Sequence, residues 1–162
     1  MTETTPWAAT FVETMGLLWE GEGLPRIAGR IFGFLSLQTE PCSLDDLALA
    51  LGVSKASVST DARRLEGLGL IHRVGVPADR RDYYTVVPDV PARMLAIKIE
   101  QLQRFETALA PLIEAPELPA VVKARIMESR LTHKRIMSTL RELLIELRQG
   151  ATPPPQPATT TI

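Results

Sequence analysis

The sequence predicts a mainly α fold carrying one small β-hairpin, and three observations lead there. The 162 residues are rich in Leu, Ala, Glu and Arg and only 5% aromatic, a balance that suits helices better than a large sheet. Apolar residues recur at helical spacing through most of the chain. Only LIHRVGV and DYYTVV, on either side of the turn PADRR, read as strands, and together they form a hairpin.

The elements follow in order. Trp7, Phe11, Met15 and Leu18 mark a first helix from Trp7 to Trp19, which GEG at 21–23 ends. Pro25 suits the first turn of a second helix, LPRIAGRIFGFLSL, with Ile27, Ile31 and Phe34 or Leu35 on one face. Gly29 and Gly33 there would let another helix approach closely. Ser43 and Asp46 make a capping box for a short third helix ending at Gly52. Ser54 caps a fourth, Lys55 to Leu68, which Gly69 terminates. After the hairpin, residues 92–112 and 119–148 read as long helices, separated by the breakers Pro111, Pro116 and Pro119. In the second, Ile126, Ser129, His133, Ile136, Leu140, Leu143 and Leu147 form a seam of alternating threes and fours, as in a helix lying along a partner. The tail, GATPPPQPATTTI at 150–162, has too little to bury and is expected to be disordered.

Composition excludes several function classes. No apolar run is long enough for a membrane span, and the N-terminus lacks the basic start and apolar core of a signal peptide, so no membrane partner and a cytoplasmic location are expected. Cys42 stands alone, without a basic neighbour to activate it. The two histidines, His72 and His133, fall in separate elements, and no GxSxG, HExxH, phosphate loop or Cys/His cluster occurs. Neither catalysis, metal nor cofactor is therefore expected. The net charge of −1 argues against binding of nucleic acid by bulk charge. The basic groups are concentrated locally, however: residues 54–83 hold Lys55, Arg63, Arg64, Arg73, Arg80 and Arg81, whereas residues 1–24 hold no Lys or Arg.

The informative stretch is SLDDLALALGVSKASVSTDARRLEGLGLI. Two short helices that cross steeply need a small residue at the contact, Gly in the turn and a branched apolar plug, and Ala48, Gly52 and Val58 meet those demands. With Val58, Ala62 and Leu65 turned inward, the fourth helix presents Ala56, Ser59, Thr60 and Arg63, flanked by Ser54, Lys55, Ser57 and Arg64. Small hydroxyl residues let a backbone approach base edges, and Arg can bond guanine or phosphate, so this face suits the major groove of double-stranded DNA. Arg80 and Arg81 at the hairpin tip could reach adjacent backbone or a narrow minor groove, with Asp79 orienting Arg81.

LPRIAGRIFGFLSL, the helix-turn-helix stretch and VPADRRDYY resemble the MarR-type winged-helix regulators, most closely their GbsR-like branch. The resemblance implies a winged helix-turn-helix domain at 25–88, flanked by dimerisation helices: an N-terminal helix within 1–24 and long C-terminal helices at 89–149. It implies a homodimer that reads a pseudo-palindromic operator and represses transcription in response to a small-molecule effector. Phe11, Met15, Ile136, Leu140, Leu143 and Leu147 are the interface candidates. Trp7, Trp19 and Phe32 are candidates for an effector pocket, whose aromatic faces could hold a quaternary ammonium. Asp61 departs from the pattern, since an acid near phosphates is unfavourable; it either pairs with Arg64 or accepts from cytosine. A winged helix used purely as a protein-interaction module is the alternative.

Overall fold

The computed structural model describes residues 5–77 and 79–150. The tail expected to be disordered lies outside the described residues, except Gly150, which ends the last helix. The chain divides into two units, residues 1–88 and 89–162.

The first unit contains α1 (Pro6–Gly21), α2 (Arg26–Ser36), β1 (Cys42–Ser43), α3 (Leu44–Leu51), α4 (Lys55–Gly67), β2 (Ile71–Val76) and β3 (Asp79–Val86). Helix α1 packs tightly on α2 because glycines remove side chains from the contact: a Cβ on Gly29 would stand 2.5 Å from the Met15 carbonyl oxygen, and one on Gly33 3.0 Å from the Met15 Cβ. That register turns Val12, Gly16 and Trp19 inward. Of the residues whose spacing marks this helix in the sequence, Trp7, Phe11 and Leu18 are exposed, at 64%, 37% and 59%, and Met15 is half-buried. Backbone approach at the glycines, rather than apolar spacing alone, decides which face of α1 is covered. Residues 6–21 pack on α2 within the first unit.

Helices α2, α3 and α4 enclose the core with the sheet. Ile31, Leu47, Val58, Ala62 and Leu65 are fully buried, and Leu35, Leu51, Leu70, Ile71 and Tyr84 nearly so. Each large aliphatic side chain removed from water contributes about 1.5–3 kcal/mol before chain entropy is set against it.

The sheet has three antiparallel strands in the order β1-β3-β2, one more than the sequence suggested. Two residues are too few for strand periodicity to register. Cys42 pairs with Tyr84 and Ser43 with Tyr83, joining the start of the helix-turn-helix to the hairpin. The hairpin turn is also shorter than PADRR: β3 already starts at Asp79. Val74 faces Tyr83 while Val76 faces Asp79, so Arg80, Arg81 and Asp82 answer Gly75 alone. Such a bulge bends the strand and re-aims its side chains, and it accounts for arginines that looked like turn residues lying on a strand.

The second unit is a helical hairpin of α5 (Val90–Ile113) and α6 (Ala120–Gly150). Phe105 stacks on His133 with centroids 4.7 Å apart, and Arg130 Nε lies 3.2 Å from Glu106 Oε2. Farther along, Arg141 Nη2 donates to Gln103 Oε1 at 3.4 Å, so the helices run antiparallel. Pro111, expected to end α5, lies inside its last turn, where the bond it forfeits is one of the helix's last. The face that α6 turns inward carries Ile126, Arg130, His133, Met137, Leu140, Leu144 and Leu147. The predicted seam is therefore corrected at three places: Ser129, Ile136 and Leu143 are exposed, and Arg130, Met137 and Leu144 replace them. Both sets satisfy helical spacing; the ion pair of Arg130 with Glu106, a residue 8% exposed, favours the second. Among the described residues no helix is long and apolar enough to cross a membrane.

Candidate nucleic-acid interface

Helix α3 starts from the capping box. The Ser43 hydroxyl accepts from the Asp46 amide, and the Asp46 carboxylate accepts from the Ser43 amide at 2.9 Å. The Ser43 hydroxyl also donates to the Asp46 carboxylate at 2.6 Å, and this bond first, then the one from the Ser43 amide, holds Asp46 below its ordinary pKa. The helix ends at Gly52, whose φ of +64° is the left-handed region where an L side chain is strained. Arg30 of α2 secures this end by donating to the Leu51 carbonyl at 2.9 Å while its Nε stands 2.6 Å from Glu13 Oε1 of α1. That brace had no local signature in the sequence.

Two residues beyond Gly52, Ser54 caps α4 by accepting from the Ser57 amide at 3.1 Å. Val58, Ala62 and Leu65 anchor α4, so its outer face is Lys55, Ala56, Thr60, Arg63 and Arg64, exposed, with Ser57 and Ser59 half-buried beside them. Lys55 is held 2.8 Å from Asp45 of α3. Arg63 folds back along its own helix, Nε donating to the Ser59 carbonyl at 3.1 Å and Nη2 to the Ser59 hydroxyl at 3.3 Å. Asp61 is turned inward and only 6% exposed, with Arg64 Nε at 3.4 Å. Burial raises the Asp61 pKa and Arg64 opposes the rise. Of the two roles open to Asp61, pairing with Arg64 is the one its orientation allows.

On the hairpin, Asp79 and Arg81 form a close pair. Arg81 Nη2 lies 2.6 Å from Asp79 Oδ2, its Nε donates to the same oxygen at 2.9 Å, and its backbone N–H donates to Oδ1 at 2.9 Å. Tyr83, which was not among the sequence candidates, completes the cluster: its hydroxyl donates to Asp79 Oδ2 at 2.8 Å and accepts from Arg81 Nη2 at 2.6 Å. The Arg81 guanidinium holds the Asp79 carboxyl well below the usual carboxylate range, and Asp79 in turn raises the pKa of Arg81. Asp79, Arg81 and Tyr83 alternate along one strand, a period-2 signal that could have exposed the third member. Arg80 points into solvent. Arg73, lower on the hairpin, is occupied by Asp82 at 3.1 Å and Glu66 at 3.6 Å.

Of the proposed pocket aromatics the structure brings Trp19 and Phe32 together and leaves Trp7 apart. Trp19 and Phe32 stack at 5.0 Å, both buried, so each covers a face of the other. Trp7 is twelve residues away on the same helix, about 18 Å along its axis. Met15, an interface candidate, is half-buried against Gly33. The interface candidates Ile136 and Leu143 are exposed, whereas Leu140 and Leu147 are half-buried. Cys42 lies in β1, where burial pushes its thiol up to about 11.

A helix-turn-helix whose second helix is followed at once by an antiparallel hairpin defines a winged-helix protein. Residues 22–82 match the model of the MarR family. Over 80 residues, 49% of this chain and 48% of the relative, the sequence is 42% identical to the HTH-type transcriptional regulator MmpR5 of Mycobacterium tuberculosis. YvaV of Bacillus subtilis is 28% identical over 79 residues, 49% of this chain and 45% of its own. The chain thus spans about half the length of the curated relatives it matches. The crystal structure of a transcriptional regulator superposes with a TM-score of 0.75 and 31% identity, covering 89% of this chain and 99% of that one. The chain belongs to the MarR family of winged-helix transcriptional regulators, whose members are not enzymes.

Proposed function

We propose that the chain is a cytoplasmic, sequence-specific DNA-binding regulator that acts as a homodimer, with α4 in the major groove and the β2–β3 wing on the flanking backbone or minor groove. The observation that carries this reading is the outer face of α4: small, hydroxyl-bearing at Ser57, Ser59 and Thr60, and ending in Arg63. A helix evolved only for solvation would carry Glu–Lys pairs there instead. Ser54, Lys55, Ala56 and Arg64 flank this surface, and Arg80 and Arg81 extend it on the bulged strand.

Dimerisation is proposed through residues 1–24 and 89–149, on both of which apolar side chains remain exposed. Trp7, Phe11 and Leu18 do so on α1, and Leu131, Ile136, Leu143 and Ile145 on α6. A two-fold dimer would set its recognition helices about 34–36 Å apart on a pseudo-palindromic operator. Within this reading the chain is a GbsR-like repressor released by a small-molecule effector. The stacking of Trp19 on Phe32 gives no support to holding that effector on their faces.

Fluorescence anisotropy against the DNA upstream of its own gene tests the central reading. Binding should be selective over scrambled DNA and fall steeply with salt. Loss of a bidentate base contact in Arg63→Ala costs about 1–3 kcal/mol. Unselective binding, indifferent to Arg63→Ala and Arg81→Ala alike, would favour a protein-interaction module, and light scattering that returns a monomer would remove the two-half-site operator.

A further inference from the structure

We infer that Tyr83 is a positioning residue of the wing: its hydroxyl locks the Arg81 guanidinium against Asp79 and so fixes the direction in which Arg81 addresses DNA. The inference rests on the DNA-binding reading above and adds to it a residue and a division of labour.

The geometry is a closed triangle. Asp79 Oδ2 accepts from Arg81 Nη2 at 2.6 Å and from the Tyr83 hydroxyl at 2.8 Å, and that hydroxyl accepts from Arg81 Nη2 at 2.6 Å. An exposed Asp–Arg pair two residues apart would ordinarily be loose, because two long side chains must be ordered against water for a small Coulomb gain. Here the third corner comes from a side chain that is itself only 9% exposed. The Tyr83 backbone is held on both sides, paired with Ser43 in β1 and Val74 in β2. The anchor lies on the side of the bulge away from the hairpin tip, so the guanidinium on the bulged segment is referenced to the helix-turn-helix core rather than to that tip. Asp46 of α3 is the other charged group facing the cluster and adds to the field holding Arg81.

Two consequences for recognition follow. Asp79 neutralises Arg81, so this arginine offers DNA little net charge. The cluster's bonds run through Nε and Nη2 and leave Nη1 outside them, a directional donor suited to the acceptor edge of an A·T minor groove. Arg80, exposed beside it, has the opposite character: a cation suited to a phosphate and to counterion release. Arg81 therefore serves geometry and Arg80 serves charge.

Two measurements decide it. In the free protein, the Arg81 Nε–H resonance, assigned by its loss in Arg81→Lys, should be shifted and slow to exchange in the wild type. It should shift and exchange several-fold faster in Tyr83→Phe at unchanged melting temperature; Asp79→Asn, which breaks the same triangle at another corner, should do likewise. On duplex DNA from upstream of its own gene, Tyr83→Phe should weaken binding about three- to tenfold, the share of one ordinary hydrogen bond. That loss should vanish in an Arg81→Ala background, where no guanidinium remains to be aimed. Arg80→Ala should lower the salt slope by about one, and Tyr83→Phe should leave the slope unchanged. An unaltered Nε–H resonance in Tyr83→Phe, or a binding loss that persists without Arg81, overturns the assignment. If the wild type binds no DNA selectively, the DNA-binding reading falls, and the spectrum of the free protein still decides whether Tyr83 holds Arg81.

Discussion

Gly29→Ala and Gly67→Ala are the same chemical change on two helices, and the structure assigns them opposite signs. At Gly29 an added Cβ would stand 2.5 Å from the Met15 carbonyl oxygen, 2.9 Å from the Gly16 Cα and 2.9 Å from the Trp19 Cβ. All three are backbone atoms or a Cβ, so no side-chain rotation relieves them. Ordinary contact begins near 3.4 Å, so α1 must retreat from α2 by about 0.9 Å. A gap of that size forfeits roughly a quarter to a half of each dispersion contact it opens, and Val12, Trp19 and Phe32 all lie in or beside this interface. Overpacking of this kind costs about 1–3 kcal/mol, against which Ala returns up to about 1 kcal/mol of helix propensity. The net is a loss of up to about 2 kcal/mol, worth roughly 4–8 °C per kcal/mol in a unit this small. At Gly67 a Cβ meets nothing within 4 Å, so propensity acts alone and the substitution should stabilise by several tenths of a kcal/mol. Urea unfolding followed by circular dichroism measures both. A Gly29→Ala protein as stable as Gly67→Ala would show that α1 does not rest on α2 in this register.

Other consequences are smaller but sharp. Ser54→Ala removes the α4 cap and should cost about 1 kcal/mol in the same assay, and Gly52→Ala should cost a similar amount because its φ of +64° suits few L residues. Asp61 has a raised pKa, so its ionisation opposes folding above the ordinary carboxylate range and is relieved as the pH falls through it. Asp61→Asn should therefore stabilise at pH 7 by a margin that shrinks toward acid, and should leave base preference unchanged; an altered preference would place the carboxylate against DNA after all. Cys42, pushed from 9.0 to about 11, keeps about a hundredfold less thiolate at pH 8. Its alkylation should be slower by at least that factor in the native protein than in urea, and equal rates would contradict the burial.

The helix-turn-helix was legible because its constraints are local. Ser43 with Asp46, Gly52, Ser54 and the inward triad Val58, Ala62 and Leu65 are all set by neighbours a turn or two away, and all occupy the positions their chemistry requires. The hairpin was legible in existence but not in detail. A bulge depends on which residue of β2 faces which of β3, and the two-residue β1 exists only because Tyr83 and Tyr84 are there to pair with it.

Helical periodicity determined that α1 and α6 exist and are amphipathic, and it left two neighbouring faces nearly equivalent on each. Tertiary packing chose between them. On α1 the choice fell to Gly29 and Gly33, where a missing Cβ lets backbones meet and carries Val12 and Trp19 inward in place of Phe11 and Leu18. On α6 it fell with the inward ion pair of Arg130 and Glu106, alongside which Met137 and Leu144 turn in and Ile136 and Leu143 stay outside. A sequence read alone records which residues prefer burial; only the partner surface, through steric approach and charge pairing, determines which of them obtain it.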